Sequence, residues 1–468
     1  MKSVLRLNFC FRCEMSMLIN DMILTQEKLS FLAERESNAR TYNRDIDRIF
    51  ARGALSRVFD SEGREYIDCL ACAGALPLGH NHPSVQSKVR EFLESGQLQQ
   101  ALDIATPAKV TFIEELYRTL PSAFAKNAKF QCCGPSGSDA VEAAIKLFKT
   151  ATGRRSVLAF QGAYHGMTMG ALGLMGNTEP KAKVSGFMSE IQFLPFPYSF
   201  RSPFGTDPAE TDRLCLAYID NLLSDPESGI TKPALIIVEA IQGEGGCIPA
   251  SARWLKGLRE ITEYHDIPLV LDEIQCGFGR SGDMFAFEYA DIVPDAIVMS
   301  KAIGGGYPLS ILAYQKKFDC WTPGSHAGTF RGNQIAMVSG AATMEYLRQD
   351  GMLNRVRETG ALLKSQLEQL KTRFPCIGDV RGRGLMVGVE MIDPNAPSNR
   401  LGHRATNAEL AKALKKACLR RGLIIESGGR HGGVMRFLPP LILTTSDVIE
   451  IVKRFEAALS DIVGASKY

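Results

Sequence analysis

A chain of 468 residues exceeds what one simple hydrophobic core covers, so two or three structural regions are expected. Basic and acidic residues nearly balance, 54 Lys and Arg against 51 Asp and Glu, which leaves no electrostatic footprint for nucleic acid. No apolar run reaches the length of a membrane span, and twelve scattered cysteines without disulfide-framework spacing point to a reducing, cytoplasmic setting.

Residues 1–25 read as a disordered leader, because Arg6 and Arg12 interrupt any secretory apolar region. Cys10/Cys13 and Cys69/Cys72 have Cys-x-x-Cys spacing, but the pairs are far apart and lack nearby histidines. Buried free thiols, and no metal, are therefore expected. Residues 26–80 form the N-terminal part of a small domain: a helix-compatible stretch, then ALSRVFDSEGREYIDCLACAG, whose alternation across an SEG turn predicts a hairpin or meander. Residues 81–343 form a large domain and 344–468 a C-terminal small domain, where GRGLMVGVEM, RGLIIESGG and VMRFLPPLIL supply short strands between helices.

Within the large region, CCGPSGSDAVEAAIKLFKTATG is a Gly-Pro-Ser-Gly turn opening an Ala-rich helix, with Glu142 and Lys146 spaced for an i,i+4 pair. Free N–H groups and the dipole at such a start suit a phosphate, although ordinary capping by Ser138 or Asp139 explains the same residues. SVLAFQGAYHG is a strand ending in Tyr164–His165, and ALIIVEAIQGEGG is another ending at Glu239, with Glu244 in the loop. The organising stretch runs from Pro268 to Gly306. Its apolar runs Pro268–Leu271 and Ala296–Met299 predict buried parallel strands, ending on Asp272 and on Ser300–Lys301. Ligands of open α/β sheets bind at carboxyl strand ends. A lysine and an acid placed there suggest pyridoxal phosphate, with Lys301 as the Schiff-base residue and Asp272 on the pyridinium nitrogen.

CGPSGSDAVEAAIKL, FQGAYHGMTMGAL, DEIQCGFGRSGDMFAFE, SKAIGGGYPLSI and HAGTFRGNQIA together resemble the class III (ω-amino) transaminases of fold type I, from about residue 30 to the C-terminus. The resemblance implies an α/β fold: a large domain with a mostly parallel central sheet covered by helices on both faces, plus a small α+β domain from the two terminal segments. It also implies residue roles. Gly137 and Ser138 hold the phosphate, Tyr164 stacks on the ring with His165 beside it, Glu239 lies under the cofactor, and Gln275 donates to the ring oxygen. Thr329 reaches the phosphate of a neighbouring subunit, which makes the enzyme a homodimer with shared sites. Arg436 grips the α-carboxylate of glutamate and 2-oxoglutarate, and Glu244 pairs with Arg436 when an ω-amine is bound.

Within the family, the motifs look like the subgroup that moves the 4-amino group of L-2,4-diaminobutyrate to 2-oxoglutarate, giving aspartate 4-semialdehyde and glutamate. Its product would feed a siderophore, 1,3-diaminopropane or ectoine pathway. Met167 stands where ornithine-type members carry an arginine, which counts against ornithine and 4-aminobutyrate as donors. Rival readings are another ω-amine donor, an aminomutase or racemase of the same fold, and a nucleotide-binding protein using Gly304–Gly306. The last lacks a G-x-G-x-x-G after a first strand.

Overall fold

The computed structural model describes residues 25–465. The expected leader, apart from Thr25, and the Cys10/Cys13 pair lie outside the described residues. Seven strands form the central sheet: β1 (Ala128–Cys132), β2 (Val157–Phe160), β3 (Ile191–Leu194), β4 (Leu235–Val238), β5 (Leu269–Asp272), β6 (Ala296–Met299) and β7 (Ile311–Gln315). Their spatial order is β1-β7-β6-β5-β4-β2-β3. The run from β6 to β3 is parallel, and β7 lies antiparallel to both β6 and β1.

The sequences VLAF, LIIV, LVLD and AIVM are buried at every position. Continuous apolar strands of this kind fit a sheet covered on both faces. Alternate side chains feed two cores. Leu158, Ile236, Leu269 and Ile297 join Phe112, Leu116 and Trp254 in one. Val157, Leu235, Val270 and Ala296 join Val141, Ile145 and Phe148 of helix Gly137–Thr152 in the other.

Two smaller sheets flank this body. The meander Phe50–Ala54, Arg57–Asp60 and Glu65–Asp68 is antiparallel, and Leu423–Ile424 from the far end of the chain pairs parallel with its third strand. Strands Ile377–Arg383, Met386–Met391, Val434–Phe437 and Glu426–Gly428 make the second, antiparallel throughout. Helix Gln334–Leu347 continues across position 343, where the sequence suggested a boundary. Its buried alanines and glycine pack on helices Pro83–Glu94 and Pro107–Thr119.

Candidate active site

Because β6, β5, β4 and β2 are parallel neighbours, their carboxyl ends bring Lys301, Asp272, Glu239 and Tyr164 to one edge of the sheet. After β6, Ser300 donates to Leu309 O at 2.8 Å. Lys301 then adopts a left-handed backbone, φ 49°, at the start of a short 3-10 turn. That conformation costs a non-glycine residue about 1–2 kcal/mol, and it marks a residue held by its surroundings. Burial lowers the Lys301 pKa, opposed in part by the nearby Glu244 carboxylate.

Asp272 is the last residue of β5 and is 3% exposed. Its Oδ2 lies 2.7 Å from His165 Nδ1, and its Oδ1 accepts from Ile274 N at 3.0 Å. Burial works against charge on His165, but the hydrogen bond and charge of Asp272 outweigh it and raise the imidazole pKa. Glu239 accepts from Tyr164 N at 3.0 Å and from Gly243 N at 2.9 Å. Burial pushes its carboxyl up to about 7, despite the opposing pull of His165.

The first turn of helix Gly137–Thr152 borders the same cavity. Its N-cap, Ser136, makes no side-chain capping bond, and Asp139 instead accepts from Gly134 N at 2.5 Å and contacts His326 Nε2 at 3.1 Å. The helix start therefore retains donors for an anion. Two glycines are required by close approach. A Cβ on Gly137 would press on Ile274 Cδ1 at 2.8 Å, and one on Gly166 (φ 123°) would collide with Ser138 Oγ. The resulting cavity, about 170 Å³, is lined by Gly137, Ser138, Tyr164, Asp272 and Lys301 among others. An uncapped helix start, a buried carboxylate backed by imidazole, and a buried amine fit pyridoxal phosphate.

Glu244, also on the cavity wall, sits in the tip of a two-stranded ribbon, Ile241–Gln242 against Ile248–Pro249. Its Oε1 and Oε2 accept from Arg436 Nη1 and Nη2 at 2.8 and 2.9 Å. Arg436 is fully buried on strand Val434–Phe437. Burial disfavours both charges, yet their mutual attraction lowers the Glu244 pKa and raises that of Arg436.

Gly137, Ser138, Tyr164, His165, Glu239, Glu244, Asp272, Gln275 and Lys301 thus surround one cavity, and Arg436 joins it through Glu244. Gln275 Nε2 donates to Ala73 O at 3.1 Å, and its Oε1 is buried without a hydrogen-bond partner. Thr329 is exposed on the turn Thr329–Gly332 and does not line this cavity. The expected Glu142–Lys146 pair is absent. Glu142 Oε1 instead accepts from Thr168 Oγ1, Gly170 N and Ala171 N, since three donors at a helix start outcompete a solvated lysine. Gly304–Gly306 is a packing turn, where a Cβ at Gly305 would collide with Thr343 and Ser339.

Sequence reasoning missed the His165–Asp272 bond and Glu426, whose Oε2 lies 2.9 Å from Arg436 Nη2. The signal for Glu426 was the one used for Asp272, an acid ending an apolar run. Among the described residues, one group with metal-ligand geometry is found, Cys133, Asp139 and His326. No described helix is long and apolar enough to cross a membrane.

The family model "Aminotransferase class-III" matches residues 39–459. A "diaminobutyrate–2-oxoglutarate aminotransferase" of Rhizobium meliloti is 46% identical over 91% of this chain and 90% of its own length. A protein of the same description from Haemophilus influenzae is 45% identical over 91% of this chain and 93% of its own. Among solved structures, a PLP-bound amine transaminase from an uncultivated Pseudomonas species superposes with a TM-score of 0.79 at 26% identity, covering 91% of this chain and 98% of that one. With a family match spanning nearly the whole chain and the buried lysine, carboxylate and helix start gathered at one sheet edge, this protein belongs to the class-III aminotransferases.

Proposed function

We propose that the protein transfers the 4-amino group of L-2,4-diaminobutyrate to 2-oxoglutarate, giving aspartate 4-semialdehyde and glutamate. The observation that carries this reading is the bidentate Glu244–Arg436 pair beside Lys301. A paired arginine presents no free cation, which suits a primary ω-amine whose reacting carbon carries no carboxylate. Release of Glu244 then exposes a guanidinium for the α-carboxylate of a dicarboxylate. Met167, 54% exposed and next in the chain to the cavity residue Gly166, supplies no cation there, and the relatives' descriptions favour diaminobutyrate as donor.

When bound, pyridoxal phosphate supplies an electrophilic carbon for the amine and a ring that withdraws electrons from the adjoining carbon. Lys301 Nζ, its basicity reduced by burial, takes the proton from the substrate carbon and returns it one position away. Asp272, oriented by His165 and Ile274 N, keeps a proton on the pyridine nitrogen. The helix start at Gly137 and Ser138 holds the phosphate, and Tyr164 covers a ring face. Glu239 ties the Tyr164 turn to the Gly243 turn, fixing the aromatic relative to the gate.

We further infer a homodimer in which Thr329 completes the partner's phosphate site. Leu98, Leu102, Ile104 and Phe330 are exposed, and their two segments are joined by Ala101 N to Gly332 O at 3.2 Å. The turn bearing Thr329 therefore lies beside an apolar face suited to a second copy.

The test is the absorbance spectrum of cofactor-loaded protein with L-2,4-diaminobutyrate and no keto acid. Bleaching of the visible band supports the assignment. A band that responds to ornithine but ignores diaminobutyrate overturns the donor.

A further inference from the structure

Arg436 has a second carboxylate neighbour that the gate does not use. Strands Glu426–Gly428 and Val434–Phe437 run antiparallel with Glu426 directly opposite Arg436. Glu426 Oε2 lies 2.9 Å from Arg436 Nη2, the nitrogen that also bonds Glu244 Oε2 at 2.9 Å. The contact is an ion pair without hydrogen-bond alignment, since Glu426 Oε2 has no hydrogen-bond partner. Gly428 lets the guanidinium lie against the strand, because a Cβ there would meet Arg436 Nε at 2.6 Å.

The two acids stand on different supports. Glu244 occupies a glycine-bracketed tip, with Gly243 before it and Gly245 and Gly246 after. Its backbone carbonyl accepts from Gly429 N at 2.9 Å, so its carboxylate leaves Arg436 by side-chain rotation. Glu426 stands directly opposite Arg436 on a paired strand, does not line the cavity, and has a side chain 12% exposed against 32% for Glu244, so it has little free space to swing into. A dicarboxylate reaches Arg436 only after Glu244 has left. In that interval a fully buried guanidinium would otherwise stand without counter-charge, which is strongly unfavourable.

We propose that Glu426 is the stationary counter-charge of Arg436, a positioning residue that keeps the guanidinium in place while Glu244 and the substrate α-carboxylate exchange on it. The proposal rests on the gate described above. Burial and the neighbouring Glu244 charge push the Glu426 pKa up, as expected where two acids crowd one cation. The ω-amine donor brings no carboxylate to Arg436 in its half-reaction and needs no such exchange.

The experiment uses cofactor-loaded wild-type, Glu426→Gln and Glu426→Asp proteins. Stopped flow reads the association rate of glutarate, an unreactive dicarboxylate, and separate half-reactions are followed with 2-oxoglutarate and with diaminobutyrate. For Glu426→Gln, glutarate association and the 2-oxoglutarate kcat/KM are expected to fall about tenfold, the equivalent of one buried charge contact, with the donor half-reaction within about twofold of wild type. Glu426→Asp, which keeps the charge on a shorter arm, is expected to lie between. Equal loss in both half-reactions, no loss in either, or an Asp variant as impaired as Gln overturns the proposal. If Glu426→Gln does not fold, Glu426→Asp alone decides, and an unchanged dicarboxylate rate overturns it. A wild-type protein that ignores diaminobutyrate overturns the donor assignment, while the glutarate and 2-oxoglutarate arms still decide Glu426.

Discussion

Lys301 is aimed by its backbone: the left-handed turn after β6 places its amine in the cavity before any cofactor is considered. Lys301→Ala removes both the nucleophile and the base, and steady-state transamination is expected to fall by at least about a thousandfold. Measurable turnover at wild-type order would remove Lys301 from the mechanism. Arg436→Ala is expected to lower kcat/KM for 2-oxoglutarate by about a hundredfold, as for a buried hydrogen-bonded charge, and the donor half-reaction far less. Equal losses would mean the carboxylate grip lies elsewhere. Lys301 and Asp272 were legible in the sequence because a polar residue ending an apolar run is a local signal. The His165–Asp272 bond was not, since it joins residues 107 apart and depends on strand order. Glu426 carried the same local signal as Asp272, but its meaning depends on its register against Arg436.

The elements with continuous apolar runs, β5 and β6 above all, were readable because each is buried on both faces. Elements joined by side chains were not. Glu142 shows this: helical spacing pointed to Lys146, whereas the carboxylate caps helix Met169–Gly173. Glu142→Ala is expected to cost about 1 kcal/mol in denaturant unfolding, the usual loss for a helix-start acceptor. Glu273 offers a pH test. It is fully buried after β5, and its oxygens accept from Ala286 N and Phe287 N at 2.8 and 3.1 Å. Burial pushes its pKa up to about 8. Between the ordinary carboxyl range and about 8, the folded protein keeps a proton that the unfolded chain has released, so stability falls as pH rises through that window. Glu273→Gln removes this component, and its melting temperature is expected to decline less than that of wild type from about pH 6 to about 8. A parallel decline in both would place the titration elsewhere.

At the scale of the molecule, the pairing of Leu423–Ile424 with Glu65–Asp68 joins the two ends of the chain. Composition carries no trace of that closure, because a two-residue strand has too little sequence to announce a partner more than 350 positions away. The exposed face around Leu98 and Phe330 belongs to this scale too. Sedimentation is expected to report a dimer, and Leu98→Glu to shift it toward the single chain with a parallel loss of phosphate-dependent cofactor retention. A fully active single chain would remove Thr329 from the site.

The ribbon that carries Glu244 is clamped at its base, where Tyr289 OH donates to Ala240 O and Ala250 O at 3.1 and 2.8 Å. Everything that must move in the gate is confined to the few residues beyond that clamp. The tip glycines are themselves packed against the site, since a Cβ at Gly243 would strike Gln275 Oε1 and one at Gly246 would meet Arg381 Nη2 at 2.8 Å. The gate is therefore one side chain swinging on a rigid mount, and acceptor range is open to change at position 244 but closed at the glycines around it.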